Sequence, residues 1–165
     1  MVSGAPATGR TTLAREVARA LTIPFLSKDL IKESLFDSLG TKAREWSKKL
    51  GLASIELLFE MVERQIEAGR SVVAERNYYR KYDVPRFERL RKAYAFRMVE
   101  VHCATDEETM RERMIGLAGT RERHAGHADG DEEHIWLGAA LAHGMFDPLG
   151  VADQLIRVGT TDFTK

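Results

Sequence analysis

Apolar residues along this chain keep two alternating rhythms. Short apolar runs recur around Val2, at Phe25 and Leu26, over 71–74, over 96–103 and over 155–158, and they predict strands. Between them the apolar positions return every third or fourth residue, the period of a helix with one buried face. Leu13, Val17 and Leu21 keep that period after a glycine-rich turn at 4–9. Residues 30–39 predict a helix stopped by Gly40, and 41–50 a polar helix closed by Gly51. Residues 52–68 are the clearest amphipathic helix. Ile55, Leu58, Phe59, Val62 and Ile66 share one face, while Glu56, Glu60, Glu63 and Glu67 lie on another. A basic helix is expected over 85–93, and Thr105 is expected to cap a helix that opens Asp106-Glu107-Glu108. A further helix over 132–145 and a turn at 148–150 precede the last strand.

Strands alternating with helices predict an α/β fold in three layers around a mostly parallel sheet. No repeat or linker divides the chain, so residues 1–165 read as one domain, with a glycine- and charge-rich segment at 116–131 expected as a mobile lid. Almost nothing precedes the first glycine turn, whereas a strand ordinarily runs about five or six residues. Either the central strand is short or upstream residues complete it. No clear final helix follows the last strand.

Composition narrows the picture. Among 165 residues, 25 are Lys or Arg and 25 Asp or Glu, so the net charge is zero and gives no general attraction to nucleic acid or an anionic membrane. A lone cysteine, Cys103, forms no internal disulfide, which predicts a reducing compartment, most simply the cytoplasm. No secretory leader is expected, and no run nears the ~18 apolar residues of a membrane span. Oligomeric state is not legible.

The strongest chemical signal is Gly4-Ala5-Pro6-Ala7-Thr8-Gly9-Arg10-Thr11-Thr12. It fits G-x-x-x-x-G-K-[ST], the Walker A pattern, except that Arg10 replaces the lysine. Gly4 and Gly9 permit backbone angles closed to other residues, so the loop turns successive N–H groups around a phosphate. The following helix adds its dipole. Arg10 would reach the β- and γ-phosphates of ATP, and Thr11 would offer its hydroxyl to Mg²⁺. Arginine keeps the charge but is longer and planar, which suits either bidentate phosphate binding or weakened catalysis.

From Gly4 through Thr161 the chain resembles the small P-loop kinases of the AAA_33-type group, which includes polynucleotide-kinase-like, zeta-toxin-like and chloramphenicol-phosphotransferase-like proteins. The loop carries the resemblance, with Leu-Ser-Lys-Asp at 26–29, Val-Val-Ala-Glu-Arg-Asn at 72–77, Val-Glu-Val-His-Cys at 99–103, Arg-His-Ala-Gly-His at 123–127 and Val-Gly-Thr-Thr-Asp at 158–162 in the family's order. The resemblance implies a five-stranded parallel sheet of order 2-3-1-4-5, helices on both faces, and ATP-dependent phosphoryl transfer to a hydroxyl.

Further groups gather where parallel strands end. Asp29 follows the second strand, where a carboxylate can take the proton of an attacking hydroxyl, the role its family counterpart plays. It equally suits the start of a helix. Glu75 and Asn77 end the third strand; Glu75 would orient Mg²⁺ through water or touch substrate, Asn77 would bind an acceptor hydroxyl, or both are a solvated strand end. Arg76, Arg80 and Lys81 with Tyr78 and Tyr79 read as a basic-aromatic patch, either an acceptor site for an anionic or ring-containing group or, more simply, surface. Arg111, Arg113, Arg121 and Arg123 flank the lid segment, and phosphoryl transfer needs such charge on the migrating group. The resemblance singles out Arg113 before the lid and Arg123 within it. It also sets Gly159 and Thr160 beside the adenine. His124 and His127 lack the partners of a zinc site. Together these readings predict an ATP- and Mg²⁺-dependent phosphotransferase acting on a small-molecule hydroxyl. The alternatives are a nucleotide-binding protein with little or no turnover, and a kinase of nucleic-acid 5′-hydroxyls, which the balanced charge disfavours.

Overall fold

The computed structural model describes residues 1–117 and 131–162. Five strands, β1 (Val2–Gly4), β2 (Phe25–Ser27), β3 (Val73–Glu75), β4 (Val99–Ala104) and β5 (Gln154–Gly159), form one sheet of order β2-β3-β1-β4-β5. Every pairing is parallel. This is the order the sequence resemblance implies. The helices are α1 (Arg10–Leu21), α2 (Lys28–Leu39), α3 (Arg44–Glu67), α4 (Arg80–Ala93), α5 (Glu107–Leu117) and α6 (Asp131–Ala142). No described helix is long and apolar enough to cross a membrane.

The central strand is short. β1 has three residues, yet it pairs on both sides, Val2 with Glu75 and Val2, Ser3 and Gly4 with Val101, His102 and Cys103. Strand alternation sorts these side chains. Val2, Val73 and Cys103 pack under α1 against Ala14 and Ala18, whose small side chains bring the helix close to the sheet. The opposite face is covered by α3, α4 and the segment after α6, through Phe59, Tyr78, Phe87, Leu90, Met98 and Leu149. Ser3, Glu100 and His102 lie on that second face.

Several boundaries depart from the sequence pattern, each for a physical reason. The expected break at Gly51 is absent, and α3 runs unbroken through it. A helical glycine costs only about 1 kcal/mol, and burial of Leu50, Ser54 and Leu58 around it outweighs that. α4 starts at Arg80 rather than Pro85 because the Asp83 carboxylate accepts the Tyr79 N–H at 2.6 Å and fastens the first turn. β4 starts at Val99 because the Met98 N–H is already taken by the Asp153 carboxylate at 2.7 Å. Asp106, not Thr105, caps α5. It accepts the Thr109 N–H at 2.8 Å, which holds its carboxyl down at about 2.

Candidate functional site

The site is built at the carboxyl ends of the strands, where the loop of residues 4–9 joins β1 to α1. Gly4 is required there twice over. Its φ is +134°, and a Cβ would lie 2.4 Å from the Cys103 carbonyl oxygen. Gly9 takes the left-handed conformation at the start of α1, with φ 75°. Ala7 shares that conformation at φ 59°, an uncommon state for a residue with a side chain. Two hydroxyls secure the curve. Thr8 Oγ1 donates to the Ala5 carbonyl at 2.8 Å. Thr160 Oγ1, just past β5, donates to the Thr8 carbonyl at 2.6 Å and lies 3.0 Å from that of Ala104.

Arg10 is buried rather than reaching outward. Its Nη1 lies 3.4 Å from Glu75 Oε1, and the two side chains are 7% and 0% exposed. Ser27 Oγ donates to the other Glu75 oxygen at 2.8 Å. Arg10 Nε and Nη1 and Glu75 Oε1 make no hydrogen bond. Buried polar atoms are rarely left so. The arrangement is one that a phosphate at the loop would complete, with the guanidinium turning from carboxylate to phosphate. Thr11 and Thr12 stand in the first turn of α1, partly and fully exposed.

Asp29 lies in the first turn of α2, two residues beyond Ser27, which pairs in register with Glu75. The helix N-cap is Ser27, so Asp29 does not cap. Its carboxylate accepts Lys28 Nζ at 2.7 Å and stays partly exposed. Asn77 hydrogen-bonds the Tyr79 side chain. Arg113 on α5 donates from Nη2 to the carbonyls of Thr160 at 2.6 Å and Thr161 at 3.1 Å, tying α5 to the segment after β5 that contains Gly159 and Thr160. Arg121, Arg123, His124 and His127 lie outside the described residues, as does 118–130 of the expected lid. Among the described residues no group of three or more His, Cys, Asp or Glu side chains could hold a metal. A divalent cation here would depend on Thr11 and on phosphate oxygens, with Glu75 behind them.

One expectation is corrected. Arg76 and Tyr78 are interior, not surface. Arg76 is paired with the buried Asp83 at 2.8 Å and sits over the Tyr78 ring. Asp83, on the next helix, supplies the partner that lets a charge turn inward. Arg80 is likewise occupied, donating twice to the Pro148 carbonyl. Sequence reasoning also missed the Thr160 hydroxyl and Ser27. The signals available were small hydroxyl residues directly at two strand ends.

A family model described as an AAA domain, AAA_33, matches residues 1–135. A protein from Chloroflexus aurantiacus assigned as a kinase superposes with a TM-score of 0.89 at 34% identity, over 99% of this chain and 87% of that one. A sugar kinase from a Janibacter species and the shikimate kinase of Bacteroides thetaiotaomicron share the fold at 16% identity, with TM-scores of 0.58 and 0.53. The first match covers 98% of this chain and 84% of the other, the second 99% and 87%. Cytidylate kinase of Pyrobaculum arsenaticum is 37% identical over 71 residues, 43% of this chain and 32% of that enzyme. The chain thus spans about a third of the length of that curated relative. With the family model covering most of its length, and a glycine-bounded loop folded around the carboxyl end of a central parallel strand, the chain belongs to the AAA_33 family of P-loop proteins.

Proposed function

We propose that residues 1–165 act as one catalytic unit, an ATP-dependent phosphotransferase that moves the γ-phosphoryl group to a hydroxyl of a small-molecule acceptor. The observation that carries this reading is the set of unsatisfied polar atoms at Arg10 and Glu75, directly under a phosphate loop and one strand from Asp29. The amides of Ala5, Pro6's neighbours and Thr8 to Thr12 would hold the phosphates together with Arg10. Mg²⁺ at the Thr11 hydroxyl would neutralise charge on the β- and γ-oxygens. As the acceptor oxygen bonds to phosphorus and the bond to ADP breaks, Asp29 takes the hydroxyl proton. Arg113 and Arg123 balance the charge on the migrating group, and Gly159 and Thr160 border the adenine. Glu75 would orient Mg²⁺ through water, and Asn77 would hydrogen-bond the acceptor hydroxyl.

Asp29→Asn is expected to lower acceptor-dependent ADP release by about 10²- to 10⁴-fold, the range of general-base catalysis, while calorimetric Mg·ATP binding stays intact. Retention of most turnover would remove Asp29 as the base.

A second reading has its own observation. Arg10 is held inward by Glu75, and a protein that never releases it would bind nucleotide without turning it over. On that reading Mg·ATP binds and no acceptor accelerates ADP release. Arg10→Lys would then restore turnover.

A further inference from the structure

A second set of groups lies on the β4 side of the phosphate loop, away from Asp29. Glu100 is 1% exposed within β4. Its Oε1 accepts the Ser3 hydroxyl at 2.7 Å, and the Leu149 N–H approaches both oxygens, at 3.2 and 3.0 Å. Ser3 Oγ is also 3.1 Å from Nδ1 of His102, its register partner across the sheet. A carboxylate only accepts, and a hydroxyl has one proton. With that proton directed to Glu100, the Ser3 oxygen must accept, so His102 Nδ1 carries the hydrogen. The relay leaves Nε2 of the neutral ring as a lone-pair acceptor.

His102 lines a cavity of about 110 Å³. Its wall includes Ala5 and Thr8 of the phosphate loop, Met110, Phe146 and Asp147. Among the described lining residues there is no Lys or Arg. Asp147 holds its carboxylate against Gly144, where a Cβ would lie 2.6 Å from Oδ2. The cavity therefore offers two acceptors, an imidazole nitrogen and a carboxylate, beside apolar carbon. Its volume suits a fragment smaller than the benzene that fills a cavity of roughly 150 Å³.

We infer that this cavity is a binding subsite for an uncharged polyol or an amino alcohol, whose O–H or N–H groups donate to His102 Nε2 and Asp147, and that it discriminates against a carboxylate or a phosphate ester. Burial lowers the His102 pKa from its ordinary 6.5, opposed by Glu100 on the same strand and Asp147 after α6, and aided by Arg157 on β5 and Arg10 on α1. The lone pair is thus present at neutral pH.

The test uses the full chain with labelled histidine and three probes of four heavy atoms each: ethane-1,2-diol, 2-aminoethanol and acetate. Ring-nitrogen NMR is expected to show the Nδ1–H tautomer at His102, and its Nε2 signal is expected to shift with the diol and the amino alcohol but not with the carboxylate. His102→Phe should weaken diol binding at least tenfold, and Ser3→Ala, which frees the tautomer, severalfold. An Nε2–H tautomer in the native protein, no response to any probe, or preference for the carboxylate would each overturn the subsite, with no dependence on how the variants fold. Mg·ATP binding measured on the same sample reports separately on the phosphotransferase reading.

Discussion

Glu75 and Glu100 flank the central strand, one on β3 and one on β4, and both are almost fully buried. Their surroundings differ. Both oxygens of Glu100 are hydrogen-bonded by neutral donors, the Ser3 hydroxyl and the Leu149 amide. Glu75 has one good hydrogen bond, from Ser27, and a long contact to Arg10, and its Oε1 is otherwise unbonded. A buried acceptor with its capacity used is an anchor, because any change leaves donors stranded. A buried acceptor with capacity left over is adaptable, because a ligand can satisfy what the protein does not. The two sides of β1 thus differ in how fully they satisfy a buried carboxylate, although the residue type is the same.

Charge removal should separate the two roles. Glu100→Gln strands at least one donor and is expected to cost about 2 kcal/mol of stability in urea unfolding, with Mg·ATP affinity nearly unchanged. Glu75→Gln leaves the buried Arg10 charge without its carboxylate and is expected to cost about 3 kcal/mol, and also to lower turnover at least tenfold. Equal stability losses with unaltered turnover would erase the contrast. Thr160→Val removes the hydroxyl that reaches the Thr8 and Ala104 carbonyls. About 1 kcal/mol of stability and a few-fold weaker nucleotide binding are expected by thermal shift and calorimetry.

The smallest effect concerns pH. The folded-state pKa of His102 is depressed below 6.5, so the unfolded chain binds the proton more readily. The contribution of His102 is present above pH 6.5 and is lost as pH falls through the folded value. Stability should decline as pH falls from 6.5 toward the folded value in the native protein, and less steeply in His102→Phe, when unfolding is followed across pH.

The phosphate loop was legible because its information is local: two glycines, a cation and a hydroxyl at fixed spacing. The sheet order came with the resemblance, and the strands were legible from their apolar runs. What the pattern could not carry was tertiary. Gly51 reads as a helix end and is spanned, because burial of Leu50, Ser54 and Leu58 around it comes from tertiary packing that the local pattern does not show. Arg76 reads as surface until Asp83, seven residues later, is seen to turn inward with it. Glu100 was visible as an acid inside the most apolar strand, yet its partners, Ser3 and Leu149, lie 97 and 49 residues away. The inward turn of Arg10 was likewise not legible, since its partner Glu75 is set by the pairing of β3 with β1.

The Thr160 hydroxyl closes on the Thr8 carbonyl across 152 residues of sequence. During synthesis the phosphate-binding segment emerges from the ribosome well before its clasp, 152 residues later. β1 meanwhile waits for β3 and then β4 before it has neighbours, and such distant pairings form slowly. A partly made chain therefore carries the motif without the finished cradle. Capture of nucleotide then waits on the arrival of β5 and Thr160, so ligand binding follows the closing of the sheet rather than preceding it.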